Sequence, residues 1–236
     1  MKVFERLKAH FAKEKERMAP MTTRQKIDHI WTYYKDYMWI GAVVAILLGA
    51  MTSSLINLGK TDVVTGIMVN LTLDQKGMNY LQEDYHAHIG ADPFWDRVKV
   101  EYTAFTALTD ESNSEQNYYA AMTVVAEVSA EKLDYMILDK VGMEFYITQA
   151  VYMDLRNFFT EEELAEFESK GMLINAQRED STEAFPVAIK ISDTAFAKDC
   201  ITAPNTVYFS VITSTPRVET CRVFWDYLMA WEPKAE

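Results

Sequence analysis

Residues 37–59 read YMWIGAVVAILLGAMTSSLINLG, with no charged side chain between Asp36 and Lys60. At 1.5 Å of rise per residue a helix over this stretch reaches about 33 Å, enough for a hydrocarbon core about 30 Å thick. The stretch predicts one membrane-spanning helix that divides the chain in two. Two other readings compete. The densest apolar part, Met38 to Met51, is only about 14 residues long, which also suits a buried core helix or the apolar region of a cleaved signal peptide. Against a signal, the leader of 36 residues far exceeds the usual short charged segment, and no Ala-x-Ala follows the run. An uncleaved anchor is the reading adopted.

The flanks set the expected orientation. Before the stretch stand 9 Lys or Arg against 5 Asp or Glu, whereas Lys60 is the one basic residue in the fifteen positions that follow. Basic residues stay on the cytoplasmic side, so residues 1–36 are expected there, with residues 60–236 extracytoplasmic. Trp31, Tyr33, Tyr34, Tyr37 and Trp39 cluster where the helix would enter the headgroup layer, which amphipathic rings favour. Localisation at the cell membrane as a single-pass protein is therefore expected.

The formal charge of −12 conceals an asymmetry: residues 1–36 carry +4 and the remainder −16. A strongly acidic external part repels nucleic acid and anionic lipid, so neither is an expected ligand there. The basic N-terminal segment suits an anionic inner leaflet. The 177 residues after Gly59 are enough for one domain with its own core. Cys200 and Cys221 both fall in this part, where a disulfide is chemically permitted, but Cys221 lies on the apolar face of an expected helix, which favours two free thiols.

Residues 2–18 place Phe4, Leu7, Phe11 and Met18 on one stripe among lysines, the pattern of a basic amphipathic helix or of a partly disordered tail. Pro20 ends it. Thr22 or Thr23 can cap a second helix that runs through Ile27, Trp31 and Tyr34 into the apolar stretch. Beyond Lys60 strands and helices alternate. Val63–Asn70 reads as a strand, and a helix from about Asp74 shows Met78, Leu81, Tyr85 and Ile89 on one face. Val98, Val100 and Tyr102 alternate with polar residues, the pattern of an edge strand. A helix over 114–129, burying Tyr118, Ala121, Met122, Val125 and Val128, leads to the apolar run Tyr135–Leu138, expected as a central parallel strand. A helix follows over 141–149, and Thr160-Glu-Glu-Glu163 forms a capping box for another reaching Glu168. Lys170–Ala184 reads as an irregular surface connection. Strands at 186–191 and 206–212 and a helix from about Thr215, with Val218, Cys221, Trp225, Leu228 and Met229 buried, complete the domain. The expected fold class is α/β: a single, largely parallel sheet with helices on both faces, preceded by one transmembrane helix.

The segment 97–139, with its strand, long helix and EKLDYMILD, resembles the corresponding part of type II extracellular solute-binding proteins of ABC transporters. FYITQAVYMDLRNFFTEEEL is similar to a helix, a short hydrophobic-Asp-Leu stretch and a following helix of those proteins. VYFSVITSTPRVETCRVFWDYLM is similar to their closing strand and helix. RQKIDHIWTYYK followed by a single span also resembles bacterial single-pass membrane proteins. The resemblance implies a periplasmic-binding-protein-like lobe. Such proteins close two lobes around a ligand, but only about 17 residues separate Glu168 from Pro186, where a second lobe would have to stand. One lobe is expected.

The chemistry-bearing residues point to no catalytic motif. His86 and His88, the external histidines, stand two apart and so project roughly 200° from each other on a helix; Asp84 and His88 alone are correctly spaced, and a third and fourth metal ligand are missing. The sequence has no Gly-x-Ser-x-Gly, phosphate-cradling glycine loop, His-Glu-x-x-His or Cys-x-x-Cys. No cofactor and no metal is expected. Open α/β sheets bind ligands beyond the C-terminal ends of their strands, which designates Asn70, Thr72, Thr106, Asp139 and Thr213 as candidate ligand-binding residues, with ordinary polar loop residues as the competing interpretation. The functional expectation is a non-catalytic, membrane-anchored interaction domain contacting a transporter or envelope protein. The alternatives are a small-molecule receptor of a transport system and an enzyme without a linear motif.

Overall fold

The computed structural model describes Glu5 and residues 15–103, 114–177, 183–202 and 206–232. The chain divides into two compact units, Met1–Gly59 and Lys60–Glu236. The first is dominated by one 36-residue helix, α1 (Thr23–Leu58). At its start the Thr22 N–H donates to the Gln25 side chain at 3.0 Å, the returning half of a capping box. As the sequence predicts, the helix runs unbroken from the aromatic cluster into the apolar stretch, and it is long and apolar enough to cross a membrane. None of its residues is buried against protein. Of the expected basic helix over 2–18, residues 15–18 are helical and most of the rest lies outside the described residues.

The second unit is α/β. Its elements are β1 (Thr61–Val69), β2 (Thr72–Leu73), α2 (Gln75–Asn79), a π-helical turn (Tyr80–Asp84), α3 (Tyr85–His88), β3 (Asp96–Thr103), α4 (Ser114–Ser129), β4 (Tyr135–Leu138), α5 (Lys140–Thr148), α6 (Glu161–Ser169), β5 (Leu173–Gln177), β6 (Ala184–Lys190), α7 (Ala195–Cys200), β7 (Ile201–Thr202), β8 (Tyr208–Val211) and α8 (Val218–Met229). Six strands form one sheet in the order β3-β1-β4-β8-β6-β5, while β2 and β7 pair separately.

The sheet is mixed, which corrects the expectation of a largely parallel one. β3, β1 and β4 are mutually parallel. The ladders β4–β8, β8–β6 and β6–β5 are antiparallel. β3 takes the predicted edge position, with Val98 and Val100 inward and Tyr102 exposed. At the opposite edge, the expected irregular connection over 170–184 contains β5; its bulge at Ile174/Asn175 faces Pro186, whose missing N–H weakens a regular ladder there.

Alternation along the strands divides the core between the two faces. On one, Val64, Met68, Tyr135, Ile137 and Phe209 cluster with Leu81 and Tyr85 and with Phe224 and Trp225 of α8. On the other, Ile67, Val69, Met136 and Leu138 cluster with Val124 and Val128 of α4 and with Met143 and Tyr146 of α5. Gly66 pairs with Tyr135, and a Cβ there would collide with the buried Tyr135 ring, which stacks on Phe224 at 4.3 Å. The absence of a side chain at Gly66 is what lets an aromatic occupy the middle of the sheet.

Two helix faces match expectation in part: Ala121 and Val128 of α4 and Cys221, Trp225 and Leu228 of α8 are buried as expected. α4 buries Ala121, Val124 and Val128, leaving Tyr118 exposed and Met122 and Val125 half-buried. α8 begins at Val218, after Arg217, and buries Cys221, Phe224, Trp225 and Leu228, leaving Met229 exposed. Both cysteines are buried free thiols. Burial pushes the Cys200 thiol up to about 12 and raises that of Cys221 as well, so neither supplies a thiolate nucleophile at neutral pH.

Candidate functional site at the ends of the parallel strands

β1 and β4 are neighbours, yet the chain leaves their C-terminal ends in opposite directions. After β1 it passes to α2, the π-helical turn and α3, which cover one face; after β4 it enters α5, on the other. Divergence of this kind makes a topological switch point, the place where open α/β sheets form a crevice.

Two candidate residues meet there. Asn70, directly after β1, has φ 59°, the left-handed conformation that asparagine tolerates better than most residues, and its N–H donates to Thr103 O at 2.9 Å. Asp139, directly after β4, is the N-cap of α5: its Oδ1 accepts from the Gly142 N–H at 2.8 Å. The same oxygen accepts from Asn70 Nδ2 at 3.1 Å, so one buried carboxylate fastens both strand ends. α5 can come this close because Gly142 has no Cβ; one there would lie 2.9 Å from Val69 Cγ1.

The other candidates do not join them. Thr72 is exposed and pairs with Thr202 in the β2–β7 ladder. Thr106 lies outside the described residues. Thr213 follows β8, and because β8 is antiparallel to β4, with Val211 opposite Tyr135, Thr213 falls at the other end of the sheet, donating its N–H to Val151 O at 2.9 Å. Its grouping with Asn70 and Asp139 is therefore corrected: it presupposed that all strands point the same way.

Several organising residues were missed. Asp134, fully buried at the start of β4, accepts from the Thr65 N–H, the Thr215 hydroxyl and Arg217 Nε. Arg222 pairs with Glu163 over the Phe158 and Phe159 rings. This pair, together with Arg156, lines an open groove of about 620 Å³. Arg222 holds the Glu163 carboxyl below its ordinary range. A second groove, of about 580 Å³, runs between Ile89–Ala91 and Thr220–Val223. Each pairing spans tens of residues of sequence, and local spacing carries no signal for it.

The histidines are separated as their spacing predicts. His86 Nε2 lies 3.2 Å from Asp96 O, while the His88 ring rests 4.8 Å from that of Tyr227. Among the described residues no group of three or more His, Cys, Asp or Glu is placed to hold a metal ion.

If Asp139 acts as a fastening, Asp139→Ala removes the cap of α5 and the Asn70 contact together, and is expected to cost about 1–2 kcal/mol. Denaturant unfolding of the 60–236 fragment measures this. An unchanged midpoint would show that the carboxylate contributes nothing to the stability of the fold.

Comparison of the chain with protein-family models, with curated proteins and with solved structures finds no match.

Proposed function

We propose that the chain is a membrane-anchored interaction protein: α1 spans the cell membrane once with its N-terminus in the cytoplasm. The extracytoplasmic α/β unit, a single periplasmic-binding-protein-like lobe, is non-catalytic and contacts a transporter or another envelope protein. The observation that carries this reading is the junction of an unburied helix of spanning length with an independent α/β unit through Gly59 and Lys60. A side chain in the middle of a bilayer needs no protein cover if it is apolar, whereas a helix this apolar is unfavourable in water. A protein partner is favoured over a solute because residues 60–236 form one compact unit, whereas capture of a solute by hinge closure needs two lobes. The charge of −16 on residues 60–236 disfavours nucleic acid.

Topology is tested by adding protease to cells stripped of their wall. An epitope at Glu236 should be lost and one at Met1 spared; the reverse would overturn the orientation. Crosslinking followed by detergent extraction then tests the partner, with transporter or envelope subunits expected in the recovered complexes. The solute-receptor reading retains one observation in its favour, the meeting of Asn70 and Asp139 at the switch point. A metabolite that raises the melting temperature of wild-type protein but not of Asn70→Ala would replace the proposal with it.

A further inference from the structure

The turn Asp92-Pro-Phe-Trp-Asp96 presents two adjacent large apolar side chains to solvent. Asp92 Oδ1 accepts from the Phe94 and Trp95 N–H groups at 2.8 and 2.9 Å. Asp96 Oδ2 accepts from the Asp92 N–H at 2.8 Å, and the Asp96 N–H returns to Asp92 O at 2.9 Å. With Pro93 fixing one more dihedral, the turn is held by its own polar groups. Its rings are therefore not needed to hold it. Phe94 and Trp95 are 49% and 52% exposed and pack edge to face on each other at 4.7 Å.

The location of this tip gives it meaning. Trp95 O accepts from the Thr61 N–H at 2.7 Å, and Thr61 is only three residues past Leu58, the last residue of α1. Three residues of extended chain span at most about 11 Å. Covalent continuity thus keeps the turn close to the point where the chain leaves α1. An exposed Phe-Trp pair is costly in water and favoured in the headgroup layer, where rings are half in apolar surroundings and half wet. Attraction to anionic lipid cannot supply the contact for a unit this acidic.

We infer that the Phe94–Trp95 tip inserts into the headgroup layer beside the exit of α1 and seats the α/β unit against the bilayer surface. The inference rests on the membrane-spanning reading of α1. The Asn70–Asp139 crevice lies at the other end of β1, about 26 Å along that strand at its usual rise.

The test uses the full chain reconstituted into phosphatidylcholine vesicles that contain a lipid with a headgroup-attached spin-label quencher. An environment-sensitive fluorophore is placed on Phe94→Cys or, as the control at the far end of β4, on Lys140→Cys. Cys200 and Cys221 are buried, and the unsubstituted chain reports any labelling of them. The probe at position 94 should shift to the blue and lose most of its fluorescence to the quencher, while that at 140 should do neither. Flotation of the same samples reports on α1 separately. Protein that floats with the vesicles but is no more quenched at 94 than at 140 overturns the seating and leaves the span intact. Protein that fails to float overturns both.

Discussion

Asp134→Ala is expected to destabilise the α/β unit by about 3–5 kcal/mol, the usual cost of removing one partner from a buried ion pair. The carboxylate has no solvent exposure, and its Oδ2 accepts from the Thr65 N–H of β1 at 2.7 Å. Thr215 donates to Oδ1, and Arg217 Nε donates to both oxygens at 3.0 and 2.9 Å. Arg217 Nη2 also donates to Lys132 O. One side chain thereby ties β1, the start of β4 and the segment entering α8. Truncating it strands a backbone N–H, a hydroxyl and a guanidinium, and only the guanidinium, 26% exposed, can turn partly to water. Asp134→Asn keeps the shape but sets an amide that must present donors against donors, so it should recover less than half of the loss. Replacing Asp134 and Arg217 together by apolar residues should cost less than the sum of the single changes, since no charge is then left buried and unpaired. Urea unfolding of the 60–236 fragment reads all three. A loss below about 1 kcal/mol for Asp134→Ala, the scale of an exposed pair, would show that water reaches the site and that the pair is not structural.

What the sequence made legible was set by how local each signal is. α1, α4, β4 and the Thr160 cap of α6 were readable because each depends on residues within one or two turns or along one strand. The direction of β8 was not. A fully buried strand is apolar on both faces whether its neighbours run parallel or antiparallel, so the run at 206–212 carries no sign of orientation. That ambiguity accounts for the two antiparallel ladders that β8 makes and for the misplaced Thr213, and the third, β5–β6, comes from a strand that the sequence did not reveal. β5 was hidden for the opposite reason: Asn175 and Gln177 are exposed at a sheet edge, and their polarity matches that of a loop. At the candidate site, Asn70 and Asp139 could be named as strand ends, but their hydrogen bond joins positions 69 residues apart. Asp134 lies inside the EKLDYMILD segment, yet its partners Thr215 and Arg217 stand more than 80 residues away.

Trp225→Ala is expected to cost about 3–5 kcal/mol, because a large side chain leaves a void that the surrounding packing cannot close. Trp225 is 3% exposed. Its ring lies 4.8 Å from Phe209 of β8, 5.2 Å from Phe159 and 5.9 Å from Phe167 of α6. It therefore joins three parts of one core face, and the aromatic pairs add about 0.5–1.5 kcal/mol each beyond the area that they bury. The same helix supplies the comparison. Met229, four residues on, shares a helical stripe with Trp225 but is exposed at the end of α8, so Met229→Ala should change stability by no more than about 0.5 kcal/mol. Glu162→Ala, on the wet face of α6, should be equally mild. Thermal unfolding of the 60–236 fragment ranks the three variants. Equal losses at Trp225 and Met229 would mean that the buried face of α8 is rotated toward Met229, and with it the packing of α8 on β8.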